Sequence, residues 1–207
     1  MAVTGSGGGR GRSALVEEEF VYPDGTIVLL RPADPAALLD DEAFAEDEFL
    51  PYWAEPWPAG RALADALPAD LSGRRVVELG CGLALPSLVA ARRGGEVLAT
   101  DWAQDALVLA GENARRNNCR LSVARVDWRR PGEILERGPF DLVLAADVLY
   151  EARNVEPLLA LCCALGAEVL LADPGRRHAG QFLSRARTHF RLSGQEGVVW
   201  HLVPLSP

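Results

Sequence analysis

Four acids each close a short apolar run between residues 97 and 173 of this chain: Asp101, Asp127, Asp147 and Asp173. Aromatic residues follow the first three closely, as Trp102, Trp128 and Tyr150. One acid after an apolar run is ordinary loop chemistry. Four in succession, each ending a strand, describe the rim of a polar crevice, because ligands of open parallel sheets sit outside the strands' carboxyl ends. A fifth acid, Glu78, lies one residue inside the run Arg75–Leu79, just before the turn Gly80-Cys81-Gly82. Glycines there let the backbone approach a ligand closely, and Asp101 can take two hydrogen bonds from a ribose diol.

The type of nucleoside follows from what is missing. A dinucleotide fingerprint has a third glycine, whereas here Leu83, Ala84 and Leu85 follow Gly82. Glu78 would also oppose a diphosphate. It suits a ligand that carries an ammonium and a sulfonium, the combination found in S-adenosyl-L-methionine.

The elements that must position these residues alternate strand and helix. Strands are expected at Arg75–Leu79, Val97–Thr100, Leu121–Val126, Phe140–Ala145, Glu168–Ala172 and Gly197–Leu205. Helices are expected from about Leu85 to Arg93, over Gln104–Asn117 and Val155–Leu165, and as an amphipathic stretch at Gln181–Phe190. That alternation gives an α/β doubly wound sheet, mostly parallel, with helices on both faces. Upstream, Glu19–Arg31 reads as a hairpin turning at Pro23-Asp24-Gly25, and Asp34–Glu48 as a short helix or ordered loop. Residues 50–67 place two tryptophans and three prolines before a helix that starts near Ala59. Those aromatics either staple the core or fold over the glycine turn to cap a ligand.

With 207 residues, 49% of them hydrophobic, the chain can bury one sizeable core, so one domain is expected. The division expected is a flexible tail over 1–17, then a single domain over 18–207. Within it, 18–70 forms a hairpin and helical cap and 71–207 the core. All 21 basic residues are arginine, and the net charge of -8 disfavours nucleic acid, whose phosphates dominate affinity. An acidic surface points instead to a basic partner segment, while Arg176 and Arg177, near the substrate edge, are open to an acidic one. Four cysteines without a C-x-x-C, and no histidine at ligand spacing, signal neither a metal site nor a disulfide framework. The start, MAVTGSGGGRGRSA, lacks the apolar core of a signal peptide. No apolar run reaches the roughly 18 residues that span a bilayer. A soluble cytoplasmic monomer that avoids membranes is expected.

V-V-E-L-G-C-G with A-T-D-W at the next strand end resembles the opening motifs of class I SAM-dependent methyltransferases, with Ala84 where many members carry a third glycine. P-Y-W-A-E-P-W-P-A-G, V-D-W and A-A-D-V-L-Y-E are similar to methyltransferase family 16, which includes many protein-lysine methyltransferases. A-D-P-G-R resembles the branch that methylates lysines of the electron-transfer flavoprotein β-subunit. The resemblance covers roughly residues 50–180 and implies a seven-stranded Rossmann-like fold. It implies that Gly80 and Gly82 face the methionine moiety and that Glu78 holds the positive end directly or through water. Asp101 would take the ribose, while Trp102, Asp127 and Trp128 would lie around the adenine. Trp57 and Ala146 would also contact the cofactor, and Asp147 and Tyr150 would meet the incoming amine. The implied activity is methyl transfer to an amine, foremost a protein lysine. A small-molecule amine and a non-catalytic nucleotide-binding module are the other readings.

Overall fold

The computed structural model describes residues 14–38 and 51–205. The start of the expected tail and the segment from 39 to 48 lie outside the described residues. Strand β1 (Leu15–Tyr22) already begins within the stretch assigned to the tail, and it pairs antiparallel with β2 (Gly25–Pro32). Of the expected helix or loop at 34–48, a single 3-10 turn at Pro35–Leu38 is described.

From there the chain alternates: α1 (Pro58–Ala66), β3 (Arg75–Leu79), α2 (Leu85–Arg92), β4 (Glu96–Asp101), α3 (Gln104–Arg116), β5 (Leu121–Arg125). It continues through α4 (Gly132–Glu136), β6 (Leu142–Ala146), α5 (Val155–Leu165), β7 (Glu168–Ala172), α6 (Arg177–Ala186), β8 (Phe190–Glu196) and β9 (Val199–Pro204). The seven strands β3–β9 form one sheet in the order β5-β4-β3-β6-β7-β9-β8. Five are parallel, and β9 and β8 close one edge antiparallel. The order reverses between β3 and β6, which is where an open α/β sheet opens a crevice.

The central strands read as continuous apolar runs because both of their faces are covered. In β3, Val76 packs into the layer made by α1, α2 and the hairpin, while Val77 and Leu79 point to the opposite layer with α5 and α6. The same alternation sends Leu142 and Leu144 to the first layer and Val143 and Ala145 to the second. Helix α2 is buried along most of its length, so its sequence LPSLVAAR carries almost no polar face. Pro86 is tolerated in its first turn, where no intrahelical donor is lost.

The hairpin is held by side chains that imitate a neighbouring strand. Asn113 Oδ1 accepts Leu30 N–H at 2.7 Å and its Nδ2 donates to Leu30 O at 3.2 Å. One helical turn on, Asn117 makes the same pair with Val28, both at 2.8 Å. Asparagines at i and i+4 on α3 thus match alternate residues of β2 and satisfy its free edge. Asn118 follows the helix in the left-handed region at φ 52°, a conformation that asparagine tolerates.

Two expectations shift. The amphipathic stretch placed at Gln181–Phe190 is α6 at Arg177–Ala186, and Phe190 instead opens a strand, β8, that the sequence reading did not anticipate. Among the described residues no helix is long and apolar enough to cross a membrane.

Candidate functional site

Backbone hydrogen bonds beyond the strand ends bring the acids into register. Gly80 N–H and Cys81 N–H both donate to Thr100 O, at 2.9 and 2.8 Å. Val126 N–H reaches Asp101 O, Asp147 N–H reaches Ala172 O, and Asp173 N–H reaches Val198 O. The edge they form is one wall of a cleft of about 530 Å³. All the residues expected to contact the cofactor or the acceptor line it: Trp57, Glu78, Gly80, Gly82, Asp101, Trp102, Asp127, Trp128, Ala146, Asp147 and Tyr150; of the four strand-end acids expected at its rim, Asp173 does not. Asp173, the fourth strand-end acid, is buried behind the rim.

The glycine turn is built by close approach. Gly80 has φ 74°, and a Cβ there would stand 2.8 Å from Val148 Cγ1, with Trp128 next at 3.5 Å. Gly82 has φ 50°, and its Cβ would meet the Trp53 carbonyl at 3.1 Å. The glycines therefore make room for the loop at 51–57 and for the residue after Asp147, as well as leaving the floor of the cleft open. Ala84 takes the left-handed conformation at φ 65°, a position at which glycine is unstrained.

Glu78 is fully buried, and its Oε2 accepts the Ser87 N–H at 3.0 Å and the Ser87 hydroxyl. Burial is the main reason its carboxyl is pushed up to about 8, with the nearby Asp101 adding to it and the Ser87 bonds pulling the other way. Asp101 Oδ2 accepts Gly82 N–H and Oδ1 accepts Ala103 N–H, both at 2.9 Å. Its carboxyl is also raised by burial, against the pull of those backbone donors. With the Trp102 N–H also bonded to it, three backbone donors leave the carboxylate spare acceptor capacity that a ribose could use.

Asp127 is gripped by Arg129, with Nε on Oδ1 at 2.9 Å and Nη2 on Oδ2 at 3.0 Å, which holds its carboxyl below the usual range. Trp102 has two guanidinium groups near its ring, Arg125 at 4.5 Å and Arg129 at 5.9 Å from its centre. At the other end, Tyr52 stacks obliquely on Tyr150 with ring centres 4.9 Å apart and lies 6.2 Å from Trp57. Trp57 Nε1–H donates to the Tyr52 carbonyl at 2.6 Å, which fixes the loop that carries both. Burial pushes the Tyr150 hydroxyl up to about 12.

Beside those rings Asp147, at φ 55°, meets Arg176 in a two-point ion pair, with Nε on Oδ1 and Nη2 on Oδ2 at 3.1 Å. Arg176 therefore faces an acid of its own chain, where the sequence had left it open to an acidic partner. Ser87, Arg129 and Tyr52 were not anticipated either. Arg129 stands two residues from its acid and carried a local signal, whereas Tyr52 and Tyr150 meet across 98 positions and carried none.

This sheet order, with a glycine turn after its central strand and an acid after the next, defines the class I SAM-dependent methyltransferase fold. The T. thermophilus 16S rRNA N2 G1207 methyltransferase, solved with AdoMet and guanosine, shares it with a TM-score of 0.65 at 16% identity, over 92% of this chain and 50% of that one. A family model described as lysine methyltransferase matches residues 55–186, and the chain belongs to that family.

Among relatives, the electron transfer flavoprotein beta subunit lysine methyltransferase of Xenopus laevis is 36% identical over 138 residues, or 61% of this chain and 53% of that protein. The Homo sapiens histone-arginine methyltransferase METTL23 is 32% identical over 111 residues, 50% of this chain and 58% of its own. The chain thus spans about half the length of the curated relatives it matches. The cofactor this family implies is S-adenosyl-L-methionine, and the residues fit it. The turn at Gly80 and Gly82 has no side chain to fill the floor, Asp101 has spare acceptor capacity, and a buried carboxyl at Glu78 suits a cation.

Proposed function

We propose that this chain transfers a methyl group from S-adenosyl-L-methionine to an amine nitrogen, foremost the side chain of a lysine in a protein. The observation that carries the reading is the acceptor end of the cleft. Asp147 lines the same cavity as the mutually packed rings of Tyr52, Trp57 and Tyr150, the glycine turn and Asp101.

The cofactor, when bound, supplies a methyl carbon already activated by sulfonium. Position is then what the protein must contribute, aligning nucleophile, carbon and sulfur at near-attack distance. Gly80 and Gly82 face the cofactor's methionine moiety, Asp101 holds its ribose, and Glu78 faces its positive charge. A lysine amine has an unperturbed pKa of about 10.4 and must lose a proton before it attacks. Asp147 orients the arriving ammonium, and the aromatic wall removes water from around it, which favours the neutral amine. The acidic chain suits a basic substrate segment.

Calorimetric titration with S-adenosylhomocysteine, with NAD as control, tests the cofactor, and a labelled-methyl screen of cell lysate tests the acceptor. Label on protein lysines supports the reading. Label confined to small molecules moves the acceptor to a free amine, and failure to bind S-adenosylhomocysteine refutes the cofactor. Asp147→Asn is expected to cut turnover at least tenfold with S-adenosylhomocysteine affinity unchanged, whereas Asp101→Ala weakens that affinity first.

A further inference from the structure

Methyl transfer as derived above leaves Arg176 without a task, yet this residue holds the acid that the acceptor needs. Asp147's side chain is only 6% exposed, and both of its carboxylate oxygens are engaged by the Arg176 fork. A buried carboxylate in that geometry is well satisfied, and a lysine ammonium arriving in the cleft finds its seat occupied. The arginine is not locked in, since 36% of its side chain is exposed and it lines the cleft.

A second acid completes the arrangement. Asp173 is 3% exposed, and its Oδ1 accepts the backbone N–H groups of Gly175 and Arg176 at 2.8 and 2.6 Å. Its Oδ2 is buried with no donor at all. Such an oxygen is costly to leave unpaired, and it sits on the residue whose turn carries Arg176. The guanidinium thus has one filled seat, on Asp147 after β6, and one empty seat, on Asp173 in its own turn.

We propose that Arg176 occupies the acceptor-cation position of the empty enzyme, and that the substrate ammonium displaces it from Asp147 toward the unfilled Oδ2 of Asp173. This rests on the reading of Asp147 as the acid that orients the acceptor. The exchange is cation for cation, so Asp147 is never left buried and alone. A free amine gains only the difference between its own ion pair and the arginine's two-point one. An amine carried on a protein adds contacts elsewhere and pulls the exchange to completion. Arg176 is therefore a specificity-determining residue that selects protein-borne lysine over small amines.

The test uses n-butylammonium, which has the chemistry of a lysine side-chain end, titrated into protein saturated with S-adenosylhomocysteine. Arg176→Gln empties the seat, and n-butylammonium affinity should rise about tenfold or more. Asp173→Asn keeps Oδ1 for the turn but removes the second seat, and affinity should fall severalfold. An unchanged affinity in Arg176→Gln overturns the proposal.

A second arm needs no added acceptor. The chain contains no lysine, so Arg176→Lys introduces its only ε-amine, placed at Asp147. With S-adenosyl-L-methionine, that nitrogen should form a bond to the methyl carbon as the sulfur–carbon bond breaks. S-adenosylhomocysteine leaves, and the proton of the amine passes to solvent. Peptide mass mapping should find a methyl group at position 176, and its absence in protein that binds S-adenosylhomocysteine counts against the proposal. Loss of S-adenosylhomocysteine binding by the unaltered chain instead refutes the methyltransferase reading itself, which keeps the two failures apart.

Discussion

Replacing Glu78 by glutamine makes the chain more stable at neutral pH, and the size of the effect follows from the structure. The carboxyl is fully buried, bonded to Ser87, and raised from 4.5 to about 8. Its folded value lies above its unfolded one, so the native state binds the proton more tightly. The stability this confers is complete below pH 4.5 and is lost as pH rises toward 8. Glutamine keeps the shape and an oxygen for Ser87 but does not titrate.

The gap between Glu78→Gln and the unaltered chain should therefore open by about 1.4 kcal/mol per pH unit between pH 5 and 7, about 3 kcal/mol in all. Asp101 is also raised by burial, but it is present in both proteins, and the difference removes it. Urea denaturation of both proteins at pH 5, 6, 7 and 8 measures the gap. Parallel stability curves would show that Glu78 is ionised in the fold and refute the reasoning. The same protonation predicts that cofactor binding at pH 7 releases most of one proton, because a cation facing Glu78 drives its ionisation. Calorimetry in buffers of different ionisation enthalpy reads that release, and the glutamine variant should lose it.

Gly80→Ala combines a left-handed φ with a Cβ 2.8 Å from Val148, and about 2–4 kcal/mol of lost stability is expected. Pairing it with Val148→Ala should recover part of that loss in the same denaturation assay. Asn113→Ala leaves the Leu30 N–H and two buried carbonyls, Leu30 O and Leu83 O, without this partner. A cost of about 3 kcal/mol is expected, with faster hydrogen exchange at the Leu30 amide as the local readout. Tyr150→Phe should keep turnover within about threefold, because a hydroxyl raised to about 12 does not titrate in the working range and the ring supplies the wall. Tyr150→Ala removes that wall, and its turnover should fall much further.

The core of the fold was legible because buried parallel strands announce themselves as apolar runs. Glu168–Ala172 and Val155–Leu165 have the expected bounds for that reason. The C-terminal edge was not legible, and the causes are local. Helix α6 begins just after Arg176, which is still extended at ψ 147°, so its apolar stripe starts at Ala179 and ends at Ala186. Phe190 continues that spacing by chance while belonging to a strand. Strand β8, FRLSGQE, lies at the sheet edge, and its register slips between Leu192 and Gly194. A bulged edge strand lacks the unbroken alternation that marks strands elsewhere.

The candidate site divides in a similar way. That Asp101, Asp127 and Asp147 line the cleft follows from topology, since acids at the ends of neighbouring parallel strands share one edge, whereas Asp173 at the same edge turns inward to hold its own turn. What each acid holds depends on partners that spacing does not reveal. Asp101 holds the backbone of the glycine turn, Asp127 an arginine two residues on, and Asp173 the turn that follows it. Those three bonds would exist in a protein that never met a ligand, because each satisfies a group the fold itself supplies. Asp147 differs. Its partner comes from 29 residues away, its backbone sits in the left-handed region at φ 55°, and it lines the cleft together with Tyr52, Trp57 and Tyr150. A left-handed backbone that local hydrogen bonding does not require makes Asp147 the candidate functional acid of the row. On that argument Asp147, more than any other acid of the row, is where chemistry and fold compete for the same carboxylate.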